Sequence, residues 1–204
     1  RQGYNYLHAL FFARHRSLIR RPFLRRIAIV AGLGAACAIV VLAGGETPAS
    51  IITEHAGSAL RYMVLTFYLL SLGEQMCRAL FYHCDIHLLR YSFFRKDAEK
   101  HFRIRLIRLA SYNLAIGALI AAAISLIYLL AGGVSGEIFA LLWVSAAALS
   151  VFFAVHHLAM YYLFQPYSTE LNAKNPYYHV VNLAVSIACG ITFFNPVPLV
   201  PLIW

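Results

Sequence analysis

The sequence predicts an all-α, polytopic integral membrane protein with an interfacial N-terminal helix and about five to six transmembrane helices. Three observations lead there. Of 204 residues, 61% are hydrophobic and 12% charged, at a mean hydropathy of +0.69. A globule of this size cannot hide so much apolar surface, so much of it must face lipid. Second, the apolar runs recur at lengths close to the thickness of a bilayer core. Third, 17 Lys and Arg outweigh 8 Asp and Glu, for a net charge of +9, and the cations fall in two blocks beside the apolar runs. That distribution fits contact with anionic lipid and the positive-inside rule better than nucleic-acid binding.

The first basic block, Arg1 to Arg26, mixes Leu7, Leu10, Phe11 and Leu18 with Arg14, Arg16, Arg20, Arg21, Arg25 and Arg26. On a helix these apolar residues gather on one side, so the segment is expected to lie in the interface, ending at Pro22. Ile27 to Ala43 is the first span; its Gly32, Gly34, Ala35 and Ala36 allow close approach of neighbouring helices. The second is shorter, because Arg61 and Glu74 bracket the apolar run Tyr62 to Gly73. A snorkelling Arg61 and a Glu74–Arg78 pair one turn apart would let it cross.

Leu109 to Gly136 carries no formal charge and holds the third span, ending at Gly132-Gly133; Ile138 to Phe164 is the fourth. Val180 begins a fifth, which Asn195-Pro196-Val197-Pro198 interrupts early. An odd number of spans and the lack of an initiator Met lead to the expectation that the chain is part of a longer one. The chain is read as one transmembrane domain: 1–26 interfacial, 27–83 the first two spans, 84–105 a basic cytoplasmic segment, and 106–204 the remaining spans. The two basic blocks, against loops 44–60 and 131–137 that lack such clusters, put the N-terminus in the cytoplasm.

Candidate chemistry is sparse. His83 and His87 form an H-x-x-x-H pair, and His156-His157 closes the fourth span, so a His-ligated membrane metal enzyme is an alternative reading. Nine His without an H-x-x-H-H box fall short of the usual di-iron set, and hydrogen-bonded interfacial histidines are the expectation. Cys37, Cys77, Cys84 and Cys189 show no metal-ligand spacing and are expected to be free thiols. Asp85, Asp97 and Glu99 are expected to pair at the surface with Arg90, Lys100 and Arg103. Neither G-x-S-x-G nor G-x-x-x-x-G-K-[ST] occurs, so nucleotide hydrolysis by a P-loop of this chain is excluded.

Two stretches carry a resemblance. Phe81-Tyr82-His83-Cys84-Asp85 through Leu88-Leu89-Arg90-Tyr91-Ser92-Phe93-Phe94-Arg95 resembles the F-Y-x-C-D-x-x-L-L-R-Y-x-F-Y-R segment of bacterial ABC exporter permeases. Val155-His156-His157 through Tyr161-Tyr162-Leu163-Phe164-Gln165-Pro166-Tyr167, followed by Lys174-Asn175-Pro176, is similar to a second signature of that group. The resemblance implies a type 2 exporter-like permease subunit in the bacterial plasma (inner) membrane, without enzymatic activity of its own. It would couple to a separate ATP-binding cassette ATPase subunit, which holds the ATP and Mg, and pair with a second permease half as a homo- or hetero-dimer.

By the same resemblance, the coupling helix would lie within Arg78 to Arg103. The candidate docking residues are Tyr82, Cys84, Asp85, Leu89, Arg90, Tyr91, Phe94 and Arg95. Aromatics interleaved with arginines are, independently, the composition of a protein interface. Glu74, Gln75 and Asn113 are the candidate polar groups of a transport path. A non-catalytic accessory subunit of a larger membrane complex is a further alternative.

Overall fold

Lipid offers backbone groups no hydrogen-bond partners, so a spanning chain must satisfy them within its own helices. The computed structural model describes residues 3–44, 50–52, 56, 59–88, 90–167 and 175–194, and among them there is no strand. The loop at 45–49, His55, Leu89, Lys174 and the Asn195-Pro196-Val197-Pro198 interruption lie outside the described residues.

Helix α1 (Tyr4–Arg14) is followed, after a turn at His15, by α2 (Arg16–Gly44). Pro22 is inside α2 and does not end the interfacial helix, contrary to the expectation; the break comes at His15. A lost bond at one proline is tolerated where the remaining backbone has no alternative to the helix. Gly34 of α2 faces Ala123, where an added Cβ would come to 3.0 Å, so the small-residue stripe does admit a neighbour there. Gly32, by contrast, faces open space.

The second span is not one helix. The stretch expected to form it holds α3 (Ala59–Leu70) and α4 (Gly73–Leu80), with the helix interrupted at Ser71-Leu72. Freed backbone donors at such a break need partners in lipid. Asn113 Oδ1 accepts from the Leu72 N–H at 3.1 Å, and Ser71 Oγ accepts from the Gly73 N–H at 3.3 Å. The break also makes Glu74 a first-turn residue, where the free N–H groups of the helix favour a carboxylate. The expected Glu74–Arg78 ion pair is not formed; among the described residues the ion pairs are Lys100–Asp97, Arg103–Glu99 and Arg105–Asp85.

After α4 the chain widens into a π turn at Phe81–Asp85, in which the Ile86 N–H reaches back to the Phe81 carbonyl. Gly73, Met76, Cys77 and Leu80 mark the buried face of α4. Cys84 would lie on that face in an α-helix as well; the smaller angular advance of each residue in the wider turn brings Asp85 back towards it.

One more helical turn (Ile86–Leu88) leads to α5 (Ser92–Lys96), then to α6 (Ala98–Leu130), α7 (Gly136–Phe164) and α8 (Pro176–Phe194). α6 ends before Gly132 and Gly133, whose φ angles of 105° and 91° suit only glycine comfortably. Ser135 then caps α7 by accepting from the Ile138 N–H, a contribution of about 1 kcal/mol.

Among the described residues four helices, α2, α6, α7 and α8, are long and apolar enough to cross a membrane. They give a multi-pass bundle, to which α3 and α4 add two shorter helices. α6 is central: 39% of its most apolar window is buried, against 11% for α8 and 17% for α2. Its main neighbours are α7 and α2, while α8 packs on α3. A Cβ at Gly117 would collide with Ser150 and Phe67, which shows how closely α6 approaches α7 and α3. Exposed Leu33, Ile39, Val144, Leu163, Leu183 and Ile187 supply the outward apolar surface.

Candidate functional site at the basic end

Both basic blocks meet at one end of the bundle. There α1, the π turn, α5, the start of α6 and the end of α7 enclose a buried ion pair that the sequence does not announce. Arg105 donates from Nη1 to one Asp85 oxygen at 2.7 Å and from Nη2 to the other at 2.5 Å. The side chains are 1% and 2% exposed. The Tyr161 hydroxyl donates to the same carboxylate, and the Tyr162 hydroxyl accepts from Arg105 Nη1 at 3.0 Å. The two-pronged geometry satisfies the carboxylate, as a buried charge requires. Asp85 is therefore no surface partner of Arg90: the π turn points it inward to Arg105. The pairs Asp97–Lys100 at 2.7 Å and Glu99–Arg103 at 3.8 Å do form at the surface.

A second layer fixes α1 to this knot. His8 and His101 share a hydrogen bond at 2.9 Å, and the Tyr4 hydroxyl donates to Asp97 at 2.9 Å. Burial pushes His8 down to about 4, helped by the nearby Arg105 charge. The hydrogen bonds from Lys100 and Tyr4 hold the Asp97 carboxyl below its usual range. The Phe94 ring lies 4.0 Å from that of His101, centre to centre, and 6.5 Å from that of Tyr4.

The candidate docking residues thus divide. Phe94, Cys84 and Asp85 are buried and anchor the segment from inside, so they are not contact surface. Tyr82 is half-buried against Phe81 and Tyr167. Leu89 lies outside the described residues. What α5 and the two residues before it present outward includes Arg90, Tyr91, Phe93 and Arg95. Tyr91 and Phe93 are 56% and 55% exposed with ring centres 5.6 Å apart, and neither arginine has an ion-pair partner among the described residues.

The path candidates also separate. Gln75 is exposed and accepts from Arg26 at 2.9 Å, and Glu74 is exposed beside it. Asn113 is buried mid-bundle, with its carbonyl on Leu72 N–H and its amide on Ser71 Oγ and the Ser150 carbonyl. It closes the α3–α4 break, so its polar groups face protein.

The histidines do not converge. His83 stacks on His15 at 4.7 Å, His87 is exposed, and His157 Nδ1 bonds the Phe153 carbonyl at 2.8 Å. Among the described residues no three His, Cys, Asp or Glu are grouped to hold a metal ion. The four cysteines are free.

Sequence reasoning missed Arg105, Tyr161, Tyr162, His8 and His101 as a unit. Tyr161 and Tyr162 stand in the second quoted stretch and Asp85 in the first, so the two stretches do meet in space; Arg105 was visible only as one more basic residue. Comparison with family models, curated proteins and solved structures finds no match in any of the three.

Proposed function

We propose that the chain is the transmembrane permease subunit of an ATP-driven exporter of the ABC type, which receives the force of a separate ATPase through α5. The observation that carries this reading is the outward quartet Arg90, Tyr91, Phe93 and Arg95, two residues just before α5 and two on it, backed by the buried Phe94. Interfaces draw their energy from aromatic and arginine anchors held in place before contact. Phe94, on the inner face of α5, packs against His101, and the Asp85–Arg105 pair ties the preceding turn to α6 and α7. A push on the quartet would therefore be delivered to two spanning helices as a body. With no P-loop in the chain, hydrolysis falls to the partner. The basic blocks orient this end towards the cytoplasm, where such a partner would be met.

The test replaces Arg90, Tyr91 and Arg95 together by Ala and asks whether the ATPase still copurifies. Anchor truncations often cost about 2 kcal/mol or more each, so the complex should be lost while membrane insertion is unchanged. Retention of a fully active ATPase complex would remove the docking role. A patch that touches only lipid headgroups predicts that retention, with weaker membrane anchoring of about 1 kcal/mol per cation removed.

A further inference from the structure

A cavity of about 220 Å³ lies beside the buried ion pair, between the start of α6 and the end of α7. Its polar wall comprises Asp85, Arg105, Tyr162, His101, Arg95 and Gln165, and Phe81, Phe94 and Ala98 form part of its apolar wall. The balance of hydrogen-bonding groups is one-sided. Both Asp85 oxygens are taken by Arg105, and one also by Tyr161. Donors, by contrast, are left over.

Among the described residues the Arg105 Nε donor is buried without a partner, and His101 Nε2, a donor when Nδ1 accepts from His8, is buried without one too. Tyr162 accepts from Arg105, and no acceptor among the described residues takes its hydroxyl proton. Arg95 brings a cation to the rim with no ion-pair partner among the described residues. Buried donors are seldom left unsatisfied, and those that are call for a ligand or an ion. The Arg105 charge is balanced by Asp85, so the uncompensated cation of the cavity is Arg95, and a cation beside free donors favours an anion with several oxygens. The volume exceeds what a single small anion needs, and the apolar wall suits the ester carbons attached to one.

We propose that this cavity binds a phosphate group, free or carried on an anionic lipid headgroup. The charge-assisted contacts come from Arg105 and Arg95, with Tyr162 donating a further hydrogen bond. This assignment does not rest on the exporter reading: Arg95 is shared with the outward quartet, but Arg105 and Tyr162 are not, and the variants that test it leave the quartet intact.

The test uses the purified chain in nanodiscs of phosphatidylcholine, with either inorganic phosphate or a minor share of phosphatidylglycerol added. Native mass spectrometry and thermal shift serve as readouts. One added phosphate or one retained phosphatidylglycerol per chain is expected, and which of the two is retained identifies the source. Ala98→Phe fills the cavity without removing a donor, and Tyr162→Phe removes one donor without changing shape. Each should weaken the interaction at least about tenfold, the scale of one lost charge-linked hydrogen bond, with helicity by circular dichroism unchanged. The assignment is overturned if neither probe binds, if phosphatidylcholine is held as tightly as phosphatidylglycerol, or if both variants bind as the parent does.

Discussion

Replacing Asp85 by Ala would leave the Arg105 guanidinium, 1% exposed, without its counter-charge. Three hydrogen bonds disappear at once: two from Arg105 and one from the Tyr161 hydroxyl. Only the Tyr162 hydroxyl still accepts from the cation. Breaking a buried pair from one side typically costs about 3–5 kcal/mol, because the remaining charge stays desolvated. A contact pair at an effective dielectric near 20 is worth about 4 kcal/mol, so the two routes agree. Removing both charges is a different perturbation: Asp85→Leu with Arg105→Met leaves no orphan charge and should recover most of the loss. Unfolding in mixed detergent micelles, followed by circular dichroism, gives the free energies for a double-mutant cycle. The reasoning fails if Asp85→Ala stays within about 1 kcal/mol of the parent, or if the double variant is as unstable as the sum of the singles.

Acid should loosen α1 through His8. Its folded value of about 4 lies below its ordinary 6.5, so between those pH values the unfolded chain binds a proton that the folded chain refuses. Stability is complete above 6.5 and falls as the pH drops towards 4, by about 3 kcal/mol in all; His8→Gln should flatten a plot of melting temperature against pH over that window, and a slope like the parent's would count against the assignment. Asn113→Leu strands the buried Leu72 N–H and should destabilise by about 1–3 kcal/mol, measured in the same micelles; a neutral effect would show that the break does not need this partner. Topology can be read with an impermeant thiol reagent. Cys84 is buried and unsuited, but Ser92 and Glu137 are exposed at opposite ends, so Ser92→Cys should label only in opened cells and Glu137→Cys in intact ones. The reverse pattern would invert the orientation.

Composition and hydropathy were enough to read a helical membrane protein from the chain, because the requirement to satisfy backbone groups in lipid is local: Ile27–Ala43, the charge-free run after Leu109 and Ile138–Phe164 all lie within long helices. The weak second span was legible as weak, and its breaking point was not. A helix can stop at Ser71-Leu72 only because Asn113, 41 residues away from Leu72, supplies an acceptor. The aromatic and basic character of 81–95 was plain, but which of its residues point outward depends on a π turn and on Phe94 finding His101. Asp85, Arg90 and Arg105 are indistinguishable as partners by spacing alone. Sequence fixes the number and kind of charges, whereas the pairing of a buried charge is decided by which helices pack together, since desolvation penalises every arrangement except the one in which Arg105, Tyr161 and Asp85 meet.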